Sequence, residues 1–219
     1  VFESLNSFGD LLDEEFRSSL LSQAKRMSNW LYENLDEHSR PNINYCTTNA
    51  YAMCLAGQYL KESKYLERSR HLFDYSLAHF SESGFFYGES KNHDAISKKG
   101  CRSIDMGYGL EESIPALVKC AFLFKDEKAM AFLHDRLMDN APFFLPDGGL
   151  DNTFGVRNNK WTYYGSRTSD GISPAYLLFA SQEPLFQEIA YRNTELLSRC
   201  TVDGLLAGGP DYDKQGEYP

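Results

Sequence analysis

The sequence predicts an all-α fold: antiparallel helix pairs closing toward an α/α toroid, an incomplete barrel, in preference to an open bundle. Three observations predict it. Apolar residues recur at helical spacing through most of the chain. Strand signals are nearly absent. A Gly-hydrophobic-Gly loop also returns after every second helix, at intervals of roughly 55 to 65 residues, a period that suits two helices and their connections. The three copies are Gly84-Phe85-Phe86-Tyr87-Gly88, Asp147-Gly148-Gly149-Leu150 and Asp203-Gly204-Leu205-Leu206-Ala207-Gly208. Residues 1–219 are read as one domain, expected to be part of a longer chain.

The first helix covers about residues 13–35, where Phe16, Leu20, Leu21, Ala24, Met27, Trp30 and Leu31 keep one face apolar. The turn EHSRPN breaks it at Pro41. A second helix, about 45–59, is unusually apolar (AYAMCLAG), as an inner helix would be. A third, about 63–80, repeats Tyr65, Leu66, Ser69, Leu72, Phe73 and Leu77 with charges between. A loop follows, then a fourth helix from about 108 to 124. Glu111 and Glu112 sit in its first turn, where the helix dipole favours anions. Its Pro115 requires a start near that residue or a kink. The fifth helix covers about 127–140, the sixth about 173–181 with Pro174 in its first turn, and the seventh about 184–199.

Between the fifth and sixth helices runs DGGLDNTFGVRNNKWTYYGSRTSDG, residues 147–171. It has no sustained helical or strand period, and a compact domain rarely holds so long a loop without a function. Arg157, Lys160 and Arg167 stand beside Asn152, Asn158 and Asn159, with Trp161, Tyr163 and Tyr164 among them. Cations, amides and flat aromatic faces are the groups that hold sugars and carboxylates. A net charge of −9 argues against nucleic acid as a partner, yet this basic cluster can oppose the global sign and take an anionic substrate. No apolar run is long enough for a transmembrane helix. The five cysteines are odd in number and contain no CxxC pair, so they read as buried thiols rather than a zinc site.

The segments IDMGYGLEESIPAL (residues 104–117), NKWTYYGSRTSDG (159–171) and DGLLAGGP (203–210) resemble the heparinase-like polysaccharide lyases, bacterial α/α-toroid proteins. From first to last the motifs span about half the chain, and helix order extends the likeness over most of it. The resemblance implies cleavage of a uronate-containing polysaccharide by β-elimination, on a barrel of which only part is present here. It implies an anionic polysaccharide or oligosaccharide as partner and, through that polymeric substrate, a periplasmic or secreted location; no ligand cluster points to a metal and no cofactor is expected, because Asn, Arg, His and Tyr can meet the needs of such a site without one.

β-Elimination needs donors on the uronate carboxylate, a base for the C5 proton and an acid for the O4 leaving group. Arg167 and Asn158, then Arg157, are the candidate neutralisers. Tyr164, then Tyr163, are the candidate acid and base, since nearby cations make a tyrosine easier to ionise; core packing is the alternative for either. Trp161 is a sugar-stacking platform or a loop anchor, and Lys160 a further substrate contact. His93 in KNHDA joins the candidates because toroid lyases often use an Asn and a His, the alternative being a solvated loop histidine. His71, His79 and His134 read as surface residues. Asn49 is a candidate substrate binder and Asn44 reads as a helix cap. A glycoside hydrolase would instead need two facing carboxylates, for which Asp105, Glu112, Asp151 and Asp170 stand available; Asp170 also reads as a helix cap. A non-catalytic carbohydrate-binding module is the third reading, because fold alone does not fix function.

Overall fold

The computed structural model describes residues 1–151 and 171–206. Its helices are α1 (Phe2–Phe8), α2 (Glu14–Asn34), α3 (Asn44–Leu60), α4 (Ser63–Leu77), α5 (Met106–Tyr108), α6 (Ile114–Phe124), α7 (Glu127–Asn140), α8 (Ser173–Leu177) and α9 (Pro184–Arg199). Among the described residues the fold is all-α apart from a short hairpin, β1 (Thr201–Val202) with β2 (Leu205–Leu206), and scattered single bridges. Among the described residues no helix is long and apolar enough to cross a membrane.

Local chemistry sets the helix ends. Asp13 accepts from Phe16 N at 2.8 Å and Asp126 from Ala129 N at 3.1 Å, so each satisfies a donor the helix leaves open. Glu183 does the same for Leu185 N, with Pro184 at the first position of α9. Pro115 falls in the first turn of α6, behind a π-helical turn at Gly109–Ser113, so its missing N–H costs the helix nothing.

Helices pair by short links. Lys61–Glu62 joins α3 to α4 and Lys125–Asp126 joins α6 to α7, each lysine ending its helix in the left-handed region. Such a link folds the second helix back along the first. The α8 and α9 helices form a third pair. The leading helices α3, α6 and α8 lie side by side, and each carries its partner, α4, α7 or α9. Leu72, Phe73, Leu110, Ile114, Leu117, Leu133, Leu137, Tyr176 and Phe186 fill the shared core. The α1 and α2 helices pack on α3 over a smaller cluster built from Phe2, Leu5, Ala24, Met53, Ala56 and Tyr65.

The repeated glycine loops occupy equivalent places. Phe80 bridges Phe86 around Gly84, and Phe144 bridges Leu150 around Gly148, both glycines with positive φ. Asn140 on α7 donates to the Gly84 carbonyl at 3.2 Å, and Asn193 on α9 donates to the Gly148 carbonyl at 3.1 Å. Both asparagines are buried. Each pair is thus fastened to the loop of the pair before it by one amide, which is the structural content of the sequence repeat.

Candidate functional site

Because three pairs turn back through short links, the long connections 35–43 and 78–105 and the described start of a third, 141–151, gather at the opposite end. Ile43 N donates to the Gly88 carbonyl at 3.2 Å, tying the first of these connections to the second. Phe85 packs edge-on to Phe143, tying the second to the third.

Within the second connection His93 turns inward and is buried, which removes the solvated-loop reading. The Tyr75 hydroxyl lies 2.9 Å from His93 Nδ1. His79 is buried as well, not a surface residue: its Nδ1 lies 2.9 Å from the Tyr75 carbonyl and its ring centroid 5.9 Å from that of His93. A carbonyl only accepts, so His79 Nδ1 carries the proton. Its Nε2 is buried without a hydrogen-bond partner among the described residues, 3.9 Å from Asp94 Oδ1. Burial pushes the Tyr75 hydroxyl up to about 12, so it stays protonated and donates to His93. His71, by contrast, is exposed and pairs with Glu37 at 3.0 Å, as a surface residue does.

Burial lowers the His93 pKa below the ordinary value of 6.5; the charges of His79 and His38 add to this, while the Arg40 carbonyl and Asp94 oppose it. A histidine held neutral by folding binds fewer protons folded than unfolded. Its contribution to stability is therefore whole above pH 6.5 and is lost as the pH falls from there through the lowered folded value. Denaturant midpoints down this range should drop for the parent protein and change less for His93→Gln. Parallel curves would remove His93 as the titrating group.

The loop that carries most candidate residues is anchored at both described ends. Asp151 N donates to the Phe143 carbonyl at 2.8 Å, and Gly171 abuts the Glu111 carbonyl of the π-helical turn so closely that no side chain fits there. On the same turn Glu112 accepts from Asn44 Nδ2 at 2.7 Å. Asn44 is the first residue of α3 and makes no capping bond with its side chain, so it ties α3 to the loop base instead of capping a helix. Asn49, five residues on, is buried and donates to the Leu35 carbonyl at 3.1 Å. Arg157, Asn158, Lys160, Trp161, Tyr163, Tyr164 and Arg167 lie outside the described residues, as does Asp170. Of the hydrolase carboxylates, Asp105 caps α5 through Tyr108 N at 3.1 Å and Glu112 is held by Asn44.

An orphaned buried polar atom costs roughly 1–3 kcal/mol, and such atoms are rare away from sites that need them. Asn44 Oδ1, Asn49 Oδ1, Ser103 Oγ and Ser113 Oγ join His79 Nε2 in lacking a hydrogen-bond partner among the described residues. Residue types had marked His93 and Asn49. They had not marked Tyr75 or His79 as site residues and had read Asn44 as a cap, although Tyr75 and His79 stand only four positions apart in the sequence. Among the described residues no group of three or more His, Cys, Asp or Glu is arranged to hold a metal ion.

A polar, aromatic-lined end on an α-helical scaffold offers hydrogen-bonding and stacking groups of the kind that hold sugars. A curated relative from Formosa agariphila, described as a broad-specificity ulvan lyase, is 36% identical over 219 residues, which is 99% of this chain. The chain spans about a third (34%) of that relative's length. No solved structure matches. A sequence model described as the ulvan lyase N-terminal domain matches residues 1–219, and the chain belongs to that family.

Proposed function

We propose that this chain is part of a lyase that cleaves a uronate-containing anionic polysaccharide, ulvan foremost, by β-elimination. The family match along the whole chain carries the proposal. In such a reaction a base takes the C5 proton, the freed electron pair forms the C4–C5 double bond, and the C4–O4 bond breaks with a proton delivered to the departing oxygen. The C5 proton becomes acidic enough only when the neighbouring carboxylate is neutralised. Arg167 and Asn158, seconded by Arg157, supply that neutralisation. Tyr164, with Tyr163 next, serves as base and acid, while Trp161 stacks on a sugar and Lys160 and Asn49 bind substrate. His93 stays within the catalytic group; its buried hydrogen bond with Tyr75 suits it to orienting the 78–105 connection at the site.

The pairing of α3 with α4, α6 with α7 and α8 with α9 supports an α/α toroid of the heparinase-like kind. A polymeric substrate supports a periplasmic or secreted location. The test is to incubate the protein with ulvan, glucuronan, alginate and glycosaminoglycans while following two signals. A lyase generates the ultraviolet absorbance of a conjugated unsaturated uronate together with new reducing ends. Reducing ends without that absorbance would replace the lyase by a hydrolase, and retarded migration of intact polymer with neither signal would leave a binding module.

A further inference from the structure

The 78–105 connection carries charges that the proposed chemistry leaves unused. Between residues 91 and 102 four cations, Lys91, Lys98, Lys99 and Arg102, accompany a single carboxylate, Asp94, in a chain whose net charge is −9. A hairpin sets where these charges stand. Ile96 bridges Arg102, Ser97 N donates to the Cys101 carbonyl at 2.9 Å, and Gly100 N donates to the Ser97 carbonyl at 2.9 Å. The turn so closed has Lys98 and Lys99 as its two central residues, with Gly100 behind them at a φ of 78°. Ser97 Oγ also accepts from Cys101 N at 3.1 Å, so side chain and main chain hold the same turn. Both lysines are exposed, and among the described residues neither enters an ion pair.

The base of the hairpin is braced on the candidate site. Arg102 donates to the carbonyl of Asp94, the residue after His93, at 2.7 Å, and its guanidinium lies 4.5 Å from the Tyr87 ring centroid. Tyr87 in turn packs on His79 with ring centroids 5.3 Å apart. Arg102 also lies 3.4 Å from the Asp94 carboxylate, so the one acid in the stretch is matched at the base and the charges at the tip are unopposed. Two further exposed cations flank the tie between connections. Asn42 bridges Glu89, with Arg40 two residues before the one and Lys91 two residues after the other.

We propose that the 96–102 hairpin is a basic finger that holds acid groups of an anionic polysaccharide outside the reacting sugar. The inference rests on the substrate class proposed above and adds to it a binding element separate in sequence from the 147–171 loop. Two adjacent ammonium groups suit a polymer of many charges. Each is a point charge with rotatable donors, without the planar fork that selects one carboxylate geometry. A polysaccharide presents its acid groups in series, so the tip and the cations Arg40 and Lys91 can engage different sugars of one chain. The attraction acts between exposed charges and therefore weakens as salt is added.

The test measures binding rather than cleavage. The full chain is titrated at low salt with glucuronan, dextran sulfate and neutral dextran, which separate carboxylate, sulfate and uncharged sugar. The parent binds the anionic polymers and not dextran. Lys98→Ala/Lys99→Ala binds them about tenfold more weakly, the upper range for two exposed charge contacts, and the difference closes as salt is raised. Lys98→Arg/Lys99→Arg keeps the affinity. Lys25→Ala/Lys128→Ala removes the same charge from exposed positions on α2 and α7 and leaves the affinity close to that of the parent. An unchanged Kd in the tip variant, or an equal loss in the helix variant, would overturn the finger and leave the substrate class standing. Failure of the parent to bind either anionic polymer would overturn the finger together with that class.

Discussion

Replacing Gly148 by alanine is expected to destabilise the protein by at least about 3 kcal/mol, because backbone strain and overpacking coincide there. Its φ of 93° lies where a side chain is strained. A Cβ would also run into the Arg192 carbonyl of α9 and come within 2.7 Å of Asn193 N. These are main-chain atoms of a helix, so no rotamer change relieves the contact. Gly100 separates the two terms: its φ is 78°, and nothing lies within 4 Å of the Cβ position. Gly100→Ala should therefore cost only the conformational part, about 1–2 kcal/mol. Denaturant unfolding of both variants checks this. Equal losses would mean that α9 yields and that the fastening of one pair to the next is soft.

Removing Arg167 or the Tyr164 hydroxyl is expected to lower the rate of unsaturated-uronate formation by about a hundredfold or more, the usual cost of losing one charge-stabilising donor or one proton-transfer group. The expectation follows from the order of the chemistry. Negative charge from C5 spreads onto the carboxylate as the proton leaves, so a cation there is worth more in the transition state than with bound substrate. The loss in Arg167→Ala should accordingly fall on kcat. Arg167→Lys keeps the charge but not the planar fork and should recover only part of the rate. If KM rises while kcat is kept, Arg167 holds a sugar away from the reacting ring. For Tyr164→Phe the packing volume is retained, so an unchanged rate would move the acid–base role to Tyr163 or to another group.

Much of the helix order was legible because burial imposes its period on the sequence. The 13–35 pattern corresponds to α2 and the apolar 45–59 run to α3, with ends displaced by a residue or so. The seven-residue α1 was missed, since so short a helix carries barely two turns of pattern. The β1–β2 hairpin was missed despite its signal: Asp203 and Gly204 both have positive φ, as an Asp-Gly turn of the primed type requires. The sixth helix proved shorter than read, closing at Leu177.

The candidate site was less legible, for a different reason. His79 reads as a helix-surface residue in the sequence, yet it is buried because Tyr87 and His93, farther along the same connection, pack against its ring. Asn44 has the residue type of a helix cap and spends its amide on Glu112, 68 positions away. Such partnerships depend on which connections meet, and local spacing does not record that.

The lysines that close α3 and α6 have a consequence for descent. A two-residue link with its lysine in the left-handed region leaves little room for insertion, so steric necessity fixes the spacing of helices within those pairs. The connections at the other end carry no such restriction and can lengthen or exchange residues without disturbing helix register. Variation in what such a scaffold recognises can therefore accumulate at one end while inheritance of the framework is enforced at the other.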